Sequence, residues 1–230
     1  MISFFIPIRK GSKRIINKNL KKLPRNKHGL TELKITQLKN LRKGLNSKIK
    51  QQVEFIVSTN CNNVIKFLNK YHWIKIHKRS EILSTDNSLD RLIQIVPKIC
   101  KGNYILWTHV TSPLFDEKEY INFLIKFLKN KKKYKSAFSA DKIQKFVFLN
   151  KKWISHNVKK RKWPRTQDLK PIYIANSAAF IASRKVYINR KDRICSNPLP
   201  IVTNDKKALD IDNLEDFKKL ENILNDKKNN

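Results

Sequence analysis

Glycine is scarce in this sequence: four glycines occur among 230 residues, at positions 11, 29, 44 and 102. Phosphate-binding loops of the dinucleotide and Walker types need glycines at fixed spacing, either G-x-G-x-x-G or G-x-x-x-x-G-K-[ST]. Neither pattern can be built from these four positions. A phosphate bound by this chain would therefore be held by cationic side chains and a few backbone amides.

Cysteine and long apolar runs are scarce as well. The three cysteines are odd in number and lack C-x-x-C spacing, so we expect neither a disulfide framework nor a zinc knuckle. The apolar residues 1–8 are too few to span a bilayer, and basic residues follow them instead of preceding them. We expect a reduced, cytoplasmic protein without a signal peptide or membrane partner.

Acidic residues are outnumbered by basic ones, 18 to 51, which leaves a net charge of +33. Such a balance suggests nucleic acid or another anionic partner. The basic residues are spread along the whole chain, however, and no recognised nucleic-acid-binding motif accompanies them. A basic nucleic-acid-binding protein is one interpretation; the alternative is an enzyme with an anionic small-molecule substrate and no specific nucleic acid.

The first stretch of the chain carries the strongest functional signal. Residues 2–8 are almost continuously apolar, which predicts a strand buried on both faces of a parallel sheet. A polar loop follows, with Gly11 and Ser12 at its bend and with these cations: Arg9, Lys10, Lys13, Arg14 and Lys18. Because ligands of open α/β sheets bind at the carboxyl ends of strands, the loop predicts a polyphosphate site.

Strand and helix patterns alternate as far as residue 140. The predicted strands are 2–8, 55–59, 73–77, 104–108 and 136–140, and the predicted helices are 30–45, 60–71, 88–100 and 117–128. This alternation predicts a three-layer α/β/α fold with a mostly parallel sheet.

The pattern changes after residue 140. A hairpin (146–149 with 153–154) and a basic irregular stretch (157–170) are predicted, with no further helix until residue 213. A last strand, 208–211, is expected to lead into a helix over 213–225, capped by Asn213 and with Leu214 facing inward.

Residues 7–19 resemble the opening signature of the acylneuraminate cytidylyltransferase family, the CMP-sugar synthetases, P-A-R-G-G-S-K-R-I-P-x-K-N. Ile8 and Lys10 depart from it, and these positions match: Arg9, Gly11, Ser12, Lys13, Arg14, Lys18 and Asn19. Lys18-Asn19 resembles the acylneuraminate branch more than the deoxyoctulosonate branch, where proline follows the lysine. The resemblance implies a Rossmann-like nucleotidyltransferase with a nucleotide site on this loop.

Two further segments extend the resemblance toward the nucleotide and the sugar. Residues 79–86 resemble R-P-x-x-L-A-x-D, which implies that Arg79 and Asp86 help enclose the nucleotide. Residues 107–115 resemble L-Q-P-T-S-P-L-R, which places Thr111 at the nucleotide. His109 occupies the position of a family glutamine that faces the sugar. The alternative is that His109 is a core or capping histidine.

Residues 165–176 resemble R-x-Q-D-L-P-x-x-Y-x-x-N, and Ser177 stands where the family has glycine. The resemblance implies a sugar pocket near Gln167, Tyr173 and Asn176, although Tyr173 could be a core residue. It also implies that Lys145 and Arg165 approach the active site of a partner subunit. We therefore expect one domain over 1–230 that forms a homodimer through an excursion at 141–172.

Asp210 and Asp212 alternate on the last predicted strand, so both carboxylates would lie on one side, with Ile211 buried on the other. Two such carboxylates repel unless a divalent cation lies between them, and Mg²⁺ prefers one or two carboxylates with substrate phosphates. The segment resembles the family's I-D-I-D-T-x-x-D. We expect Mg²⁺, or Mn²⁺, at this pair, the alternative being two surface acids before a helix.

The resemblance implies a reaction in cell-surface polysaccharide synthesis: transfer of CMP from CTP to the anomeric hydroxyl of a nonulosonic, sialic-acid-like sugar acid, with release of pyrophosphate. Arg9, Lys13 and Lys18 would neutralise phosphate charge, and Asp210 and Asp212 would hold the metal. A cytidylyltransferase for another keto-sugar acid, such as deoxyoctulosonate, is the alternative.

Overall fold

A computed structural model describes residues 1–85 and 87–226. The strands are β1 Ile2–Ile8, β2 Val53–Thr59, β3 Ile74–Lys78, β4 Tyr104–Thr108, β5 Ser136–Ile143, β6 Phe148–Leu149, β7 Lys152–Trp153, β8 Ile172–Ser183 and β9 Leu199–Val202. Within the described residues, seven of them form one sheet in the order β3-β2-β1-β4-β8-β5-β9. Only β8 runs antiparallel to its neighbours, β4 and β5, so the sheet is mostly parallel, as predicted.

The helices lie on both faces of this sheet. They are α1 Gly29–Gly44, α2 Ser47–Lys50, α3 Asn62–Leu68, α4 Leu89–Ile99, α5 Glu117–Asn130, α6 Arg184–Arg190 and α7 Leu214–Asp226. One core joins Phe4 of β1 to residues of α1, α3, α5 and α7, and a second joins Phe5 to residues of α4 and α6. Helices on both faces of the sheet confirm the predicted three-layer α/β/α fold. Burial of β1 on both faces accounts for its continuous apolar run. No helix in the described residues is long and apolar enough to cross a membrane.

The first 140 residues follow the prediction closely. The bounds of β1 and β4 are those predicted. The short helix α2 was not predicted, and the other strands and helices there differ from prediction mainly at their ends, with α3 shorter than the predicted helix over 60–71. The predicted hairpin is also confirmed as the antiparallel pair β6 and β7.

The region after residue 140 contains several errors of prediction. A helix, α6, lies where none was expected, and β9 was missed. The seven residues of α6 bury only Val186 and Tyr187, which is too few for a helical apolar period, and β9 is four residues long and contains Pro200. Packing of α6 against α4 therefore decides this local structure, not its own sequence pattern.

The predicted last strand, 208–211, is wrong, because these residues lie outside every strand and helix of the described chain. Instead of the hydrogen-bond ladder of a strand, only Ile211 among these described residues forms backbone bonds to the site. Its N–H donates to the Thr111 carbonyl at 2.8 Å, and its carbonyl accepts from Lys18 Nζ at 2.6 Å. Ile211 is nevertheless fully buried, as predicted.

The start of α7 confirms the predicted cap. Asn213 Oδ1 accepts the N–H of Asp216 at 3.0 Å, and the Asp216 carboxylate accepts the N–H of Asn213 at 3.1 Å, a reciprocal capping box. Leu214 is 47% exposed and does not face inward, contrary to prediction.

Ser177 lies in a bulge of β8, where the register against β5 shifts, and it has a φ of 61°. Glycine adopts this left-handed conformation without the steric cost of a Cβ atom. The backbone at this position therefore suits the glycine that the resembling family has there.

Candidate active site

A cavity of about 440 Å³ opens at the carboxyl ends of β1 and β4, where the polyphosphate site was predicted. Ten predicted site residues line it: Arg9, Ser12, Lys13, Arg14, Lys18, Asn19, Arg79, His109, Thr111 and Asp212. The strands β1, β3 and β4 run in the same direction, so the residues that directly follow them meet at one edge of the sheet. These residues are Arg9, Arg79 and His109. The remaining lining includes the apolar side chains Leu89, Leu92, Trp107 and Val110.

The loop after β1 is held in place by Asn19. Gly11 has a φ of 86°, so the bend uses the conformational freedom of glycine. Asn19 Nδ2 donates to the Arg9 carbonyl at 3.0 Å, and Thr31 of α1 donates its hydroxyl to the Asn19 carbonyl at 2.8 Å. These bonds fix both ends of the loop, so that its cations line the cavity together.

Arg79 is the most deeply placed cation of the cavity. Its side chain is buried, with the residue 7% exposed, and its Nε and Nη2 atoms have no hydrogen-bond partner among the described residues. Burial and the charge of Arg9 lower the pKa of Arg79 to about 10. Two buried guanidinium nitrogens without a partner are costly, and an anion in the cavity would relieve that cost.

Lys18 joins the loop to the acidic segment. Besides its bond to Ile211, it lies close enough to Asp212 and Asp210 for both charges to oppose the lowering of its pKa by burial. Arg14 forms an exposed ion pair with Asp212 at 3.2 Å. Two cations of the first loop and the two carboxylates therefore lie close together.

Asp210 and Asp212 have different environments. Asp212 is exposed and lines the cavity, whereas Asp210 is partly buried and does not line it. Asp210 Oδ1 is buried without a partner among the described residues. Burial raises the pKa of Asp210 and Asp212 raises it further, while a hydrogen bond from Thr111 and the charge of Lys18 lower it.

This pair fits a divalent cation, because the unpartnered Asp210 oxygen and the neighbouring Asp212 offer the hard oxygen ligands that Mg²⁺ prefers. Within the described part of the chain, no group of three or more histidines, cysteines or acids could hold a metal. The remaining ligands would therefore have to come from substrate phosphates and water.

A buried lysine supports the segment that presents Thr111, and the sequence analysis missed it. Lys34 of α1 is fully buried, and its Nζ donates to the carbonyls of Ser112 and Phe115 at 2.9 and 3.0 Å and to the Tyr120 hydroxyl at 3.0 Å. A lysine in an amphipathic helix normally indicates a solvated face. The sequence therefore contains no signal for this role.

We expect Lys34 to make stability depend on pH. Burial lowers the pKa of Lys34 to about 7, opposed by Asp116, whereas a lysine in the unfolded chain has a pKa of about 10.4. Between these values the unfolded state binds more protons, so the free energy of unfolding rises with pH, by up to about 1.4 kcal/mol per pH unit. Urea unfolding between about pH 7 and pH 8.5 measures this slope.

The Lys34→Met variant should lose most of that slope. Lys126→Met, at an exposed position of α5, is the matched control and should keep it. Equal slopes in the two variants would show that Lys34 does not titrate in this range.

Five predicted substrate residues do not line this cavity: Lys145, Arg165, Gln167, Tyr173 and Asn176. Arg165 is exposed and pairs with Asp168 at 3.1 Å. Asn176 Nδ2 donates to Asp141 and Thr203 at 2.7 and 2.6 Å, so both of its amide hydrogens are already used in bonds within the protein. Their roles at the sugar, or in a partner's site, stay predictions. Asp86 lies outside the described residues.

Sequence comparison assigns the chain to a family. A family model described as Cytidylyltransferase matches residues 3–229, and the chain belongs to this family. No curated protein sequence matches the chain significantly.

Solved structures share the fold at low sequence identity. CMP:2-keto-3-deoxy-manno-octonic acid synthetase complexed with CTP is 12% identical, with a TM-score of 0.62 over 98% of this chain and 99% of that one. The 4-diphosphocytidyl-2C-methyl-D-erythritol synthase of Anaerococcus prevotii is 13% identical, with a TM-score of 0.63 over 97% and 96%. The bifunctional IspDF of Campylobacter jejuni is 12% identical, with a TM-score of 0.58 over 95% of this chain, which spans only 53% of that protein.

Family and fold together define the class of protein. The chain is a nucleotidyltransferase with a Rossmann-like fold, and cytidylyltransferase activity with CTP is supported. The cation-rich cavity at the carboxyl edge of the sheet is where this class of fold binds its ligands.

Proposed function

We propose that this protein transfers CMP from CTP to the anomeric hydroxyl of a nonulosonic sugar acid and releases pyrophosphate. The observation that carries the proposal is the buried guanidinium of Arg79, two of whose nitrogens have no partner among the described residues and which lies in the same cavity as the cations of the first loop. The Lys18-Asn19 pair supports the acylneuraminate branch over the deoxyoctulosonate branch. A basic cavity also suits a second substrate that carries a carboxylate.

In this reaction the sugar hydroxyl forms a bond to the α-phosphorus of CTP while the bond from that phosphorus to pyrophosphate breaks. The protein acts mainly by positioning the reactants and by stabilising negative charge. Arg9, Lys13 and Lys18, which line the cavity, would stabilise charge on the phosphates and on the departing pyrophosphate. Asp210 and Asp212 would hold Mg²⁺ or Mn²⁺, which supplies further charge neutralisation at the α-phosphate when bound.

The identity of the second substrate is tested by pyrophosphate release from CTP. We expect release with sialic, legionaminic or pseudaminic acid, and little with deoxyoctulosonic acid or 2-C-methyl-D-erythritol 4-phosphate. Pyrophosphate release with deoxyoctulosonic acid alone would assign the protein to the deoxyoctulosonate branch instead. Release with methylerythritol phosphate alone, or with none of the panel, would contradict a sugar-acid substrate.

We also propose that the protein is a homodimer that pairs through residues 141–172. This segment exposes large apolar side chains, among them Phe148 at 58% and Trp163 at 66%. Trp163 makes edge-to-face contacts with Phe146 and Trp153, with ring centroids 5.4 and 5.7 Å apart. Exposed apolar clusters of this kind mark protein interfaces, and a closed twofold dimer is the commonest assembly.

A single charge in this cluster should disrupt the dimer. We expect Trp163→Glu to lower the light-scattering mass from twice the 27.2 kDa of the chain toward the monomer value. Ile188→Glu is the matched control, because Ile188 is 55% exposed on α6, outside the proposed interface. A wild-type mass near that of one chain would contradict the dimer.

A further inference from the structure

His109 is held from one side by two hydrogen-bond donors. Trp107 Nε1 donates to His109 Nε2 at 2.9 Å, and Arg193 Nη1 lies 3.4 Å from the same nitrogen. The guanidinium carbon of Arg193 lies 3.8 Å from the ring centroid of Phe180 and 5.3 Å from that of Trp107. Arg193 is therefore fixed by aromatic contacts while it faces the histidine.

These contacts determine where the histidine proton lies. An indole nitrogen can only donate, so His109 Nε2 must be the acceptor and the proton of the neutral ring is on Nδ1. Nδ1 forms no hydrogen bond to any described residue, and the ring lines the cavity. The geometry therefore leaves one N–H donor available to a ligand.

Burial and the surrounding positive charges keep the ring neutral. Burial lowers the pKa of His109 to about 3, and the positive charges of Arg193, Lys34 and Lys18 contribute in the same direction. At neutral pH the cavity therefore contains an uncharged donor among many cations.

We propose that Trp107 and Arg193 are positioning residues that hold His109 as a neutral Nδ1–H donor, and that this donor binds an acceptor oxygen of the second substrate. The tautomer rests on geometry alone, and the substrate contact rests on the proposed function. The glutamine of the resembling family offers both a donor and an acceptor, whereas this histidine offers a donor only. It selects a carbonyl, carboxylate or other oxygen acceptor and disfavours an amide N–H or an ammonium group at that position.

Nuclear magnetic resonance tests the tautomer without any substrate. In protein labelled with ¹⁵N-histidine, long-range proton–nitrogen spectra distinguish the two tautomers, and His109→Gln identifies the signals of His109. We expect the Nδ1–H form, with no titration between about pH 5 and pH 8. An Nε2–H form, or a titration midpoint within that range, would overturn the proposal.

Variants of the two positioning residues sharpen this test. Trp107→Phe should produce a mixture of tautomers, because the indole donor is lost. Arg193→Met keeps an unbranched side chain between the rings but removes the charge, and it should raise the pKa of His109. Arg190→Met, at an exposed position at the end of α6, is the control and should leave the spectrum unchanged. Unchanged spectra in both test variants would overturn the positioning role.

Steady-state kinetics test the substrate contact. An asparagine amide can donate from near the Nδ1 position, whereas a glutamine amide reaches the Nε2 position. We expect His109→Gln to raise the KM of the sugar acid by about tenfold and His109→Asn by about threefold or less, with the KM of CTP little changed. Equal effects of the two variants would overturn the contact. Absence of turnover with every sugar acid would instead refute the proposed function and leave the spectroscopic test intact.

Discussion

Replacing either Asp210 or Asp212 by asparagine is expected to lower turnover by about 10²- to 10⁴-fold. Each substitution removes one carboxylate from the pair that fits a divalent cation, and Asp210 Oδ1 has no other partner among the described residues. Bound CTP brings further negative charge, so the complex without metal is disfavoured by repulsion. Turnover is measured at saturating CTP and limiting Mg²⁺, with the fold checked by circular dichroism.

Asp205→Asn is the matched control, because Asp205 is an exposed acid in the 3-10 turn just before the pair. It should retain wild-type turnover. Chelation with EDTA should abolish activity in the wild type, and Mg²⁺ or Mn²⁺ should restore it. Near-wild-type turnover of both single variants would show that this pair is not the metal site, and Asp86 would be the next carboxylate to test.

Replacing Arg79 by methionine is expected to weaken CTP binding by about 10- to 100-fold while stabilising the protein without nucleotide. The loss would follow if Arg79 donates charge-assisted hydrogen bonds to the nucleotide, as proposed. The gain follows because the ligand-free protein buries two unpartnered guanidinium nitrogens close to the charge of Arg9. Calorimetric titration measures the affinity, and urea unfolding without CTP measures the stability.

Arg91→Met, at an exposed position of α4, controls for the loss of one positive charge and should change neither quantity appreciably. The predicted loss of CTP affinity and gain of stability have opposite signs, which makes the test specific. A variant that loses both affinity and stability would show that Arg79 supports the fold rather than the nucleotide.

The parts of the fold that the sequence predicts are those with strong local signals. The apolar run of β1 needs burial on both faces, and the bend at Gly11 needs a left-handed φ, so both could be located from residue types alone. The capping pair Asn213 and Asp216 is similarly local. Nine of the ten predicted site residues that line one cavity follow β1, β3 or β4, and parallel strands place the residues after them at one edge; Asp212 does not follow one of these strands.

The features that the sequence does not predict depend on contacts between distant segments. The burial of Lys34 and Arg79 is one such feature, because no local pattern marks them as buried among the many exposed lysines and arginines of this chain, although Arg79 itself was a predicted site residue. Arg193 reaches His109 across 84 positions of sequence. The segment 208–212 has the alternation of a strand, but bonds from Lys18 and to Thr111 hold it outside the sheet.

Label transfer from CTP tests the central claim most directly. The protein is incubated with a nonulosonic acid and CTP labelled with ³²P at either the α- or the γ-phosphate. The account predicts that α-label enters the sugar acid in a Mg²⁺-dependent way and that γ-label appears only in pyrophosphate. Transfer of γ-label to the acceptor, or release of γ-label as inorganic phosphate without an acceptor, would contradict it.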